Sequence, residues 1–511
     1  MERLSSFQCG DLSFSSDYDS GNASRVEQVD EHEFALWTAC DAEGTPFEKG
    51  YRTWFGFAVR GAAKGRQLTF YIHNMNAQGK LIRQGMCPSV RVLPSRPTWT
   101  RIPLQTTYTG CKEEDNFVLR FRHKMDGEPD ETTYFAFCFP HGSPIEAELK
   151  APPGVYDAAL AAAASAADGA ASVHCSEIAV AAVQAAASVA PPYRPGGVYY
   201  HRELLTRSLE GRRIDLITLS GTNGMLGRTE EPLRQTGLMP EGGSRARSFG
   251  AKPVFMLTAR VHPGETPASH VFDGFVNFLL REHDPRARAL RERFVFKLIP
   301  MINPDGVYRG HYRADTRGAN LNRCYLACPF ETHPSVNAIA ALVRHLHAKG
   351  VLSFYIDTHG HATKRGCFLF GNALPETERM VDNVLYAKLV GANCRWFDFG
   401  GCVFTERNMY GRDKRDGLSK EGSGRVAVYK MTGLTHVYTL ECNYNMGRTV
   451  TRLQPPHIPK GIDKGALSPP PPPLKSVAPK YTPDSWRDVG KALALAALDM
   501  LGCQERSGRG R

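Results

Sequence analysis

An imidazole and a carboxylate stand three residues apart in Arg260-Val261-His262-Pro263-Gly264-Glu265, and two further imidazoles follow in Asp357-Thr358-His359-Gly360-His361. Two imidazoles and one carboxylate are the donor set of a catalytic zinc, which keeps a fourth position open for water. His262 and Glu265 can face one cation from a tight turn, and either His359 or His361 can complete the set. Such a metal polarises water and a carbonyl oxygen, while a nearby carboxylate takes the water proton and passes it to the leaving amine. Glu441, at the end of the apolar run 437–441 (VYTLE), is available for that task. The segments 303–313 and 317–323 add several arginines and asparagines near the presumed metal. A guanidinium fork there can grip a substrate carboxylate or steady an oxyanion. Taken singly, each piece is ordinary, since a lone histidine is more often a satisfied core or surface residue. Their convergence is what is specific.

The elements that must position these groups are apolar runs alternating with helical patterns. Val254–Ala259 (VFMLTA) predicts a strand followed by a helix near 267–282; 294–301 and 352–357 predict further strands, 336–347 a helix, and 437–441 a fourth strand. This alternation predicts an α/β domain with a mixed, largely parallel sheet flanked by helices. Ligand sites in such sheets gather beyond the carboxyl ends of the strands, and the polar groups above follow such ends. Residues 1–140 carry short aromatic and β-branched runs (52–60, 68–72, 134–139), which predict a small antiparallel β-sandwich domain. Residues 141–195 are alanine-rich, carry the proline pairs Pro152-Pro153 and Pro191-Pro192, and lack large apolar residues, so they are expected to be a low-complexity insertion, partly helical or disordered. The α/β domain is expected to span 196–453 and to resume at 481–503, around a Pro-rich loop at 454–480 whose polyproline run, 469–473, can join neither sheet nor helix. Thr482 and Pro483 are suited to cap and start a last helix ending near residue 501.

The chain has 511 residues, enough for two domains and inserted material. Its 42% hydrophobic and 23% charged composition is that of a soluble globular protein, and its first residues have neither a basic nor an apolar signal region. The alanine-rich stretch is too weakly apolar to span a membrane. Thirteen irregularly spaced cysteines fit reduced thiols, and hence the cytoplasm, better than a disulfide framework; Cys324 and Cys328 read as packing residues. A net charge of +11 calls for an acidic partner. No nucleic-acid-binding motif accompanies it, so a specific acidic substrate ranks above nucleic acid or an anionic membrane.

The strings RVHPGETPAS, NPDGVYRGHYRADTRGANLNR, DTHGH and KEGSGRVAVYK followed by YTLECNYN resemble those of zinc carboxypeptidases, specifically the cytosolic carboxypeptidases that trim glutamate. Residues 54–61, 74–86 and 97–102 also look like that family's N-terminal domain. The resemblance implies one Zn2+ per chain bound by His262, Glu265 and His359, with His359 preferred over His361, and Glu441 as general base and acid. It implies that Arg313 polarises the scissile carbonyl and that Asn322, Arg323 and Tyr429 hold the terminal carboxylate, although Tyr429 also reads as a strand aromatic. A basic pocket for the glutamate side chain would draw on Arg425 first, then Lys430, Lys420 and His436. The implied partners are acidic glutamylated protein tails, tubulin and microtubules above all, met by a monomer in the cytoplasm with room for a nuclear pool. The resemblance extends to cleavage of the γ-linked branch-point glutamate. Two rival readings are a small-molecule acylamino-acid amidohydrolase on the same fold and a catalytically silent microtubule-binding adaptor.

Overall fold

The computed structural model describes residues 6–110, 116–142, 197–240, 243, 245–250, 252–413, 416–448, 450 and 478–506, with side chains to 503. The expected insertion, from residue 143 onward, and most of the expected Pro-rich loop lie outside the described residues.

The described residues between 6 and 139 form a sandwich of two sheets. One runs in the order Ser6–Cys9, Leu12–Ser15, Gly56–Arg60, Thr132–Ala136, Ser89–Leu93, Arg96–Arg101; the other in the order Ala23–Asp30, Glu33–Thr38, Gln67–His73, Val118–Lys124, Thr107–Thr109. Alternating aromatics supply the filling between them. Phe14 and Phe135 from the first sheet meet Phe34 and Phe70 from the second at ring-centroid distances of 5.0 Å, and Phe57 meets Phe70 at 5.3 Å. The sandwich departs from the expected antiparallel pattern at one pairing, where Glu33–Thr38 runs parallel to Gln67–His73. Between these two strands the chain crosses to the other sheet to form Gly56–Arg60, and that crossover lets it return in the same direction.

The second domain is built on a seven-stranded sheet in the order Val198–Arg207, Arg213–Gly221, Val295–Ile299, Val254–Ala259, Leu352–His361, His436–Asn443, Cys367–Phe370. Its four central strands pair in parallel, and antiparallel pairs close it on both sides. Val254–Ala259 has its expected bounds and is buried throughout, as a central parallel strand must be. Leu352–His361 runs four residues beyond the expected 352–357, because its ladder with His436–Asn443 continues through His359↔Glu441 to His361↔Asn443.

The helix Pro267–Leu279 covers one face of this sheet and is itself crossed by the last helix, Pro483–Arg506. Thr482 Oγ1 accepts from the Ser485 amide at 3.4 Å, the capping role expected of it. The two helices touch backbone to backbone at glycines. A Cβ on Gly274 would lie 2.0 Å from the Arg487 carbonyl oxygen, and one on Gly490 1.9 Å from that of Val271. Gly490→Ala therefore has to push the helices apart and is expected to cost about 1–3 kcal/mol, the usual range for overpacking. Gly227→Ala, with no heavy atom near its Cβ position, is expected to be neutral. Equal melting temperatures for the two variants would refute this view of the helix contact.

Candidate metal centre and active site

Val254–Ala259 ends at Arg260, a buried residue with φ of +60° that reverses the chain so that His262 and Glu265 face back toward the sheet. Arg260 is held there by its own side chain, whose Nε and Nη2 donate to the Pro263 carbonyl at 3.1 and 2.6 Å. The neighbouring strand brings in His359. His262, Glu265 and His359 are all buried and place their ligand atoms within 4.8 Å of one another. His262 Nδ1 lies 2.9 Å from Glu265 Oε1, and His359 Nδ1 lies 2.9 Å from Glu265 Oε2. Both Nε2 atoms are held from behind: His262 by Asn320 Oδ1 at 3.0 Å, His359 by Asp357 Oδ2 at 2.8 Å. Holding each imidazole by one nitrogen orients the other as a ligand, the usual support of a histidine-bound metal. The donor set fits Zn2+. His361 stands apart, its Nδ1 accepting from the Thr363 and Lys364 amides, so it is His359 that the fold brings to His262 and Glu265.

The electrostatics follow from burial. Burial works to raise the Glu265 pKa, but His262 and His359 together hold it well below the usual carboxylate range. Burial lowers His262 to about 4, while at His359 Asp357 and Glu265 outweigh burial and lift it well above its ordinary value. Glu441 sits opposite His359 in the parallel ladder. Burial of its carboxyl pushes it up to about 8, with Glu265 and Asp357 adding to the rise and His359 and Arg313 opposing it.

Arg313, expected to polarise the scissile carbonyl, and Asn322 and Arg323, expected to grip the terminal carboxylate, are also together. Arg313 Nη2 donates to Asp413 Oδ2 at 2.8 Å, and Arg323 Nη2 donates to the same oxygen, so two guanidiniums whose side chains are 7% and 8% exposed share one carboxylate. Asn322 accepts from the Gly424 amide at 2.9 Å and reaches within 3.5 Å of His359 Nε2. Arg313 depends on the other domain. Asp41 of the sandwich, buried, accepts from the amides of Tyr312, Arg313 and Ala314 at 2.6, 2.7 and 2.7 Å. Between the domains lies a cleft of about 880 Å³, lined by Tyr312, Asn320 and Asp416 on one side and by Lys49, Asn76 and Lys80 on the other.

Of the basic-pocket candidates, Arg425 is buried on the helix Gly424–Thr432, and its guanidinium donates to the Gly371 carbonyl, Asn372 Oδ1 and Asn408 Oδ1 at 2.6, 2.7 and 2.7 Å. All three acceptors are neutral. Burial lowers its pKa to about 10, with Glu441 opposing the change. Lys420 is half-buried and within the electrostatic reach of Arg323, Asp413, Arg425 and Glu441. Lys430 is not brought into this group, since it lies at the surface and donates to Glu421 Oε2 at 2.6 Å. His436 is a core residue, stacked on Phe354 at 4.5 Å and paired with the Tyr438 hydroxyl at 3.0 Å. Tyr429 is half-buried on the same helix as Arg425, so its reading as a strand aromatic is corrected. Cys324 and Cys328 point their thiols at the Asn320 and Tyr325 carbonyls, and all eleven cysteines among the described residues are free. Asp41, Asn320 and Asp413 carry no spacing signal in the sequence, whereas Asp357 stood in plain sight two residues before His359.

Residues 14–138 match the family model described as cytosolic carboxypeptidase N-terminal domain, and residues 200–360 match that described as zinc carboxypeptidase. The chain is 39% identical to cytosolic carboxypeptidase-like protein 5 of Danio rerio, over 97% of this chain and 65% of that protein. It is 38% identical to the protein of the same name from Rattus norvegicus, over 97% of this chain and 68% of that protein. The chain thus spans about two thirds of the length of these relatives. In fold it is similar to a metallo-carboxypeptidase from Burkholderia cenocepacia, with a TM-score of 0.61 and 19% identity, covering 96% of this chain and 99% of the other.

Two outcomes are expected of the site's charges. Asp41→Ala leaves three buried amides without an acceptor and is expected to destabilise the protein by at least about 2–3 kcal/mol in denaturant unfolding; an unchanged midpoint would show that the amides find other partners. The second concerns Glu441. Its pKa rises on folding from an ordinary 4.5 to about 8, so in metal-free protein its contribution to stability is complete below 4.5 and is lost as pH climbs toward 8. The melting temperature of metal-free wild type, relative to metal-free Glu441→Gln, should therefore fall between pH 5 and pH 8. A difference that stays constant over that range would count against the raised pKa.

Proposed function

Because the chain belongs to the cytosolic carboxypeptidase family of zinc metallocarboxypeptidases, we propose that it hydrolyses glutamate from polyglutamylated proteins, tubulin first among them, including the γ-linked glutamate at the branch point. The observation that carries the proposal is the Asp413 carboxylate seated on Arg313 and Arg323 beside the His262, Glu265 and His359 cluster. An anion is thus already held next to the metal ligands, and a substrate takes over these contacts when Asp413 yields them, its terminal carboxylate at Arg323 and its scissile carbonyl oxygen at Arg313.

His262, Glu265 and His359 hold the cation; bound there, Zn2+ supplies Lewis-acid polarisation of water and of the scissile carbonyl. Glu441, beside His359 in the ladder, takes the water proton and passes it to the leaving amine. Arg313, fixed through its backbone by Asp41, steadies the negative charge that develops on the carbonyl oxygen. Asn322 and Arg323, with Tyr429 from the adjoining helix, hold the terminal carboxylate and so restrict cleavage to the end residue.

Arg425 supports the preference for glutamate. It is a buried cation whose hydrogen-bond acceptors are all neutral, so an arriving side-chain carboxylate meets a charge that no bonded carboxylate has cancelled. Lys420 adds to the positive field. The net charge of +11 and the lysines of the interdomain cleft support acidic tails as the substrate, and with them work in the cytoplasm at microtubules. No helix among the described residues is long and apolar enough to cross a membrane.

The test is mass spectrometry of products from polyglutamylated tubulin and from defined linear and branched glutamate peptides. Zinc-loaded wild type should release free glutamate, Glu441→Gln should lose about 10²–10⁴-fold in kcat, and Arg425→Gln should lose selectivity for glutamate over uncharged end residues. Hydrolysis of N-acyl amino acids with no glutamate release would favour the amidohydrolase. Binding to microtubules with no hydrolysis of any of these substrates would favour the adaptor.

A further inference from the structure

A second cluster of metal-ligating side chains lies at the joint between the two domains. His141 follows the last strand of the sandwich, while His270 and Asp273 sit one turn apart on the helix Pro267–Leu279, on the same face. Ligand atoms of the three residues lie within 4.8 Å of one another. His141 Nε2 is 3.0 Å from Asp273 Oδ2, and the two imidazole rings meet edge to face at 5.3 Å.

His270 is the telling member. It is 3% exposed, and neither of its ring nitrogens has a hydrogen-bond partner. The backbone of Phe139 acts on it only from beyond hydrogen-bond geometry. A buried imidazole with neither nitrogen in a well-formed hydrogen bond is costly, and it calls for an explanation such as a bound ion. Its ring stacks on Trp486 at 5.6 Å and 16°, which engages the face and leaves the in-plane lone pair free to bind a cation. The arrangement also repeats that of the catalytic cluster, where imidazole and carboxylate stand 2.9 Å apart and the two rings 5.1 Å apart at 63°. Two cations are close by, and both are engaged elsewhere. Arg260 donates to the His141 carbonyl and the Ser269 hydroxyl, and Arg487 pairs with Asp484 at 2.8 Å.

We propose that His141, His270 and Asp273 form a second, structural site for a divalent transition metal, with Zn2+ the ion best suited to two imidazoles and one carboxylate. The ligands come from both domains, so the ion fastens the exit of the sandwich to the helix that follows the catalytic turn. The side chain of His141, 18% exposed, gives the ion its way in and leaves room for a water as fourth ligand.

The experiment is zinc stoichiometry by elemental analysis on the full chain, loaded with Zn2+ and desalted. Two ions per chain are expected for wild type, one for the catalytic-site double variant His262→Gln/His359→Gln, and none when His270→Gln and Asp273→Asn are added to it. Co2+ in the double variant should give the visible absorption bands of a tetrahedral site, and Zn2+ should raise that variant's melting temperature. One ion in wild type and none in the double variant overturns the proposal, as does an ion in the double variant that survives the loss of His270 and Asp273. If the quadruple variant fails to fold, His141→Gln added to the double variant takes its place, and an ion that survives that change likewise overturns the proposal.

Discussion

The active centre depends on the parallel register that locks Leu352–His361 between Val254–Ala259 and His436–Asn443. In that register Ala259 lies beside Thr358 and His359 beside Glu441, so the end of the first strand stands one residue before the level at which His359 and Glu441 meet. A candidate metal ligand and a candidate proton acceptor thereby become lateral neighbours through backbone pairing alone, with no loop needed to bring them together. The first strand hands its chain to the Arg260 reversal, which swings the carboxylate of Glu265 across the strand ends. Glu265 Oε2 then accepts from the Gly360 amide at 3.0 Å, and a Cβ on Gly360 would already stand 3.1 Å from that of Glu265. Glycine at this position is what lets the carboxylate sit against the sheet.

Much of this was legible in the sequence, for reasons that differ by residue. His262, Glu265, His359 and Glu441 each follow or end an apolar run, and strand ends are where α/β sheets collect polar groups. Choosing between His359 and His361 needed the ladder, because both sit on the same face of one strand and only the first reaches Glu265. Lys430 illustrates a different difficulty. The segment 424–432 is a helix, and residues five apart on a helix point about 140° away from each other, so an inward Arg425 sends Lys430 to solvent. Tyr429, four residues on, stays within about 40° of Arg425, and only the helix makes that visible. Asp41 and Asp413 could not be read from the sequence at all, because their partners are remote along the chain and joined to them only by the tertiary fold.

Burial makes the charges around the histidine cluster answerable to one another, with Arg425, bonded only to neutral acceptors, the exception. Ionised groups out of water are tolerated when paired, and here the pairing is shared: Glu265 serves two histidines, and Asp413 serves two arginines. Such sharing leaves each cationic member only partly satisfied. That is a structural expense, but it keeps the groups responsive to an incoming anion or cation, as fully paired networks are not.

The reach of Asp41 across the domain boundary changes what counts as the catalytic unit. Its carboxylate fixes the backbone on both sides of Arg313, so the position of that guanidinium is written partly in the sandwich and partly in the α/β domain. The two modules can be recognised separately in sequence, yet neither carries the geometry of the centre alone. Exchanging one sandwich for another would therefore be a change to the active site.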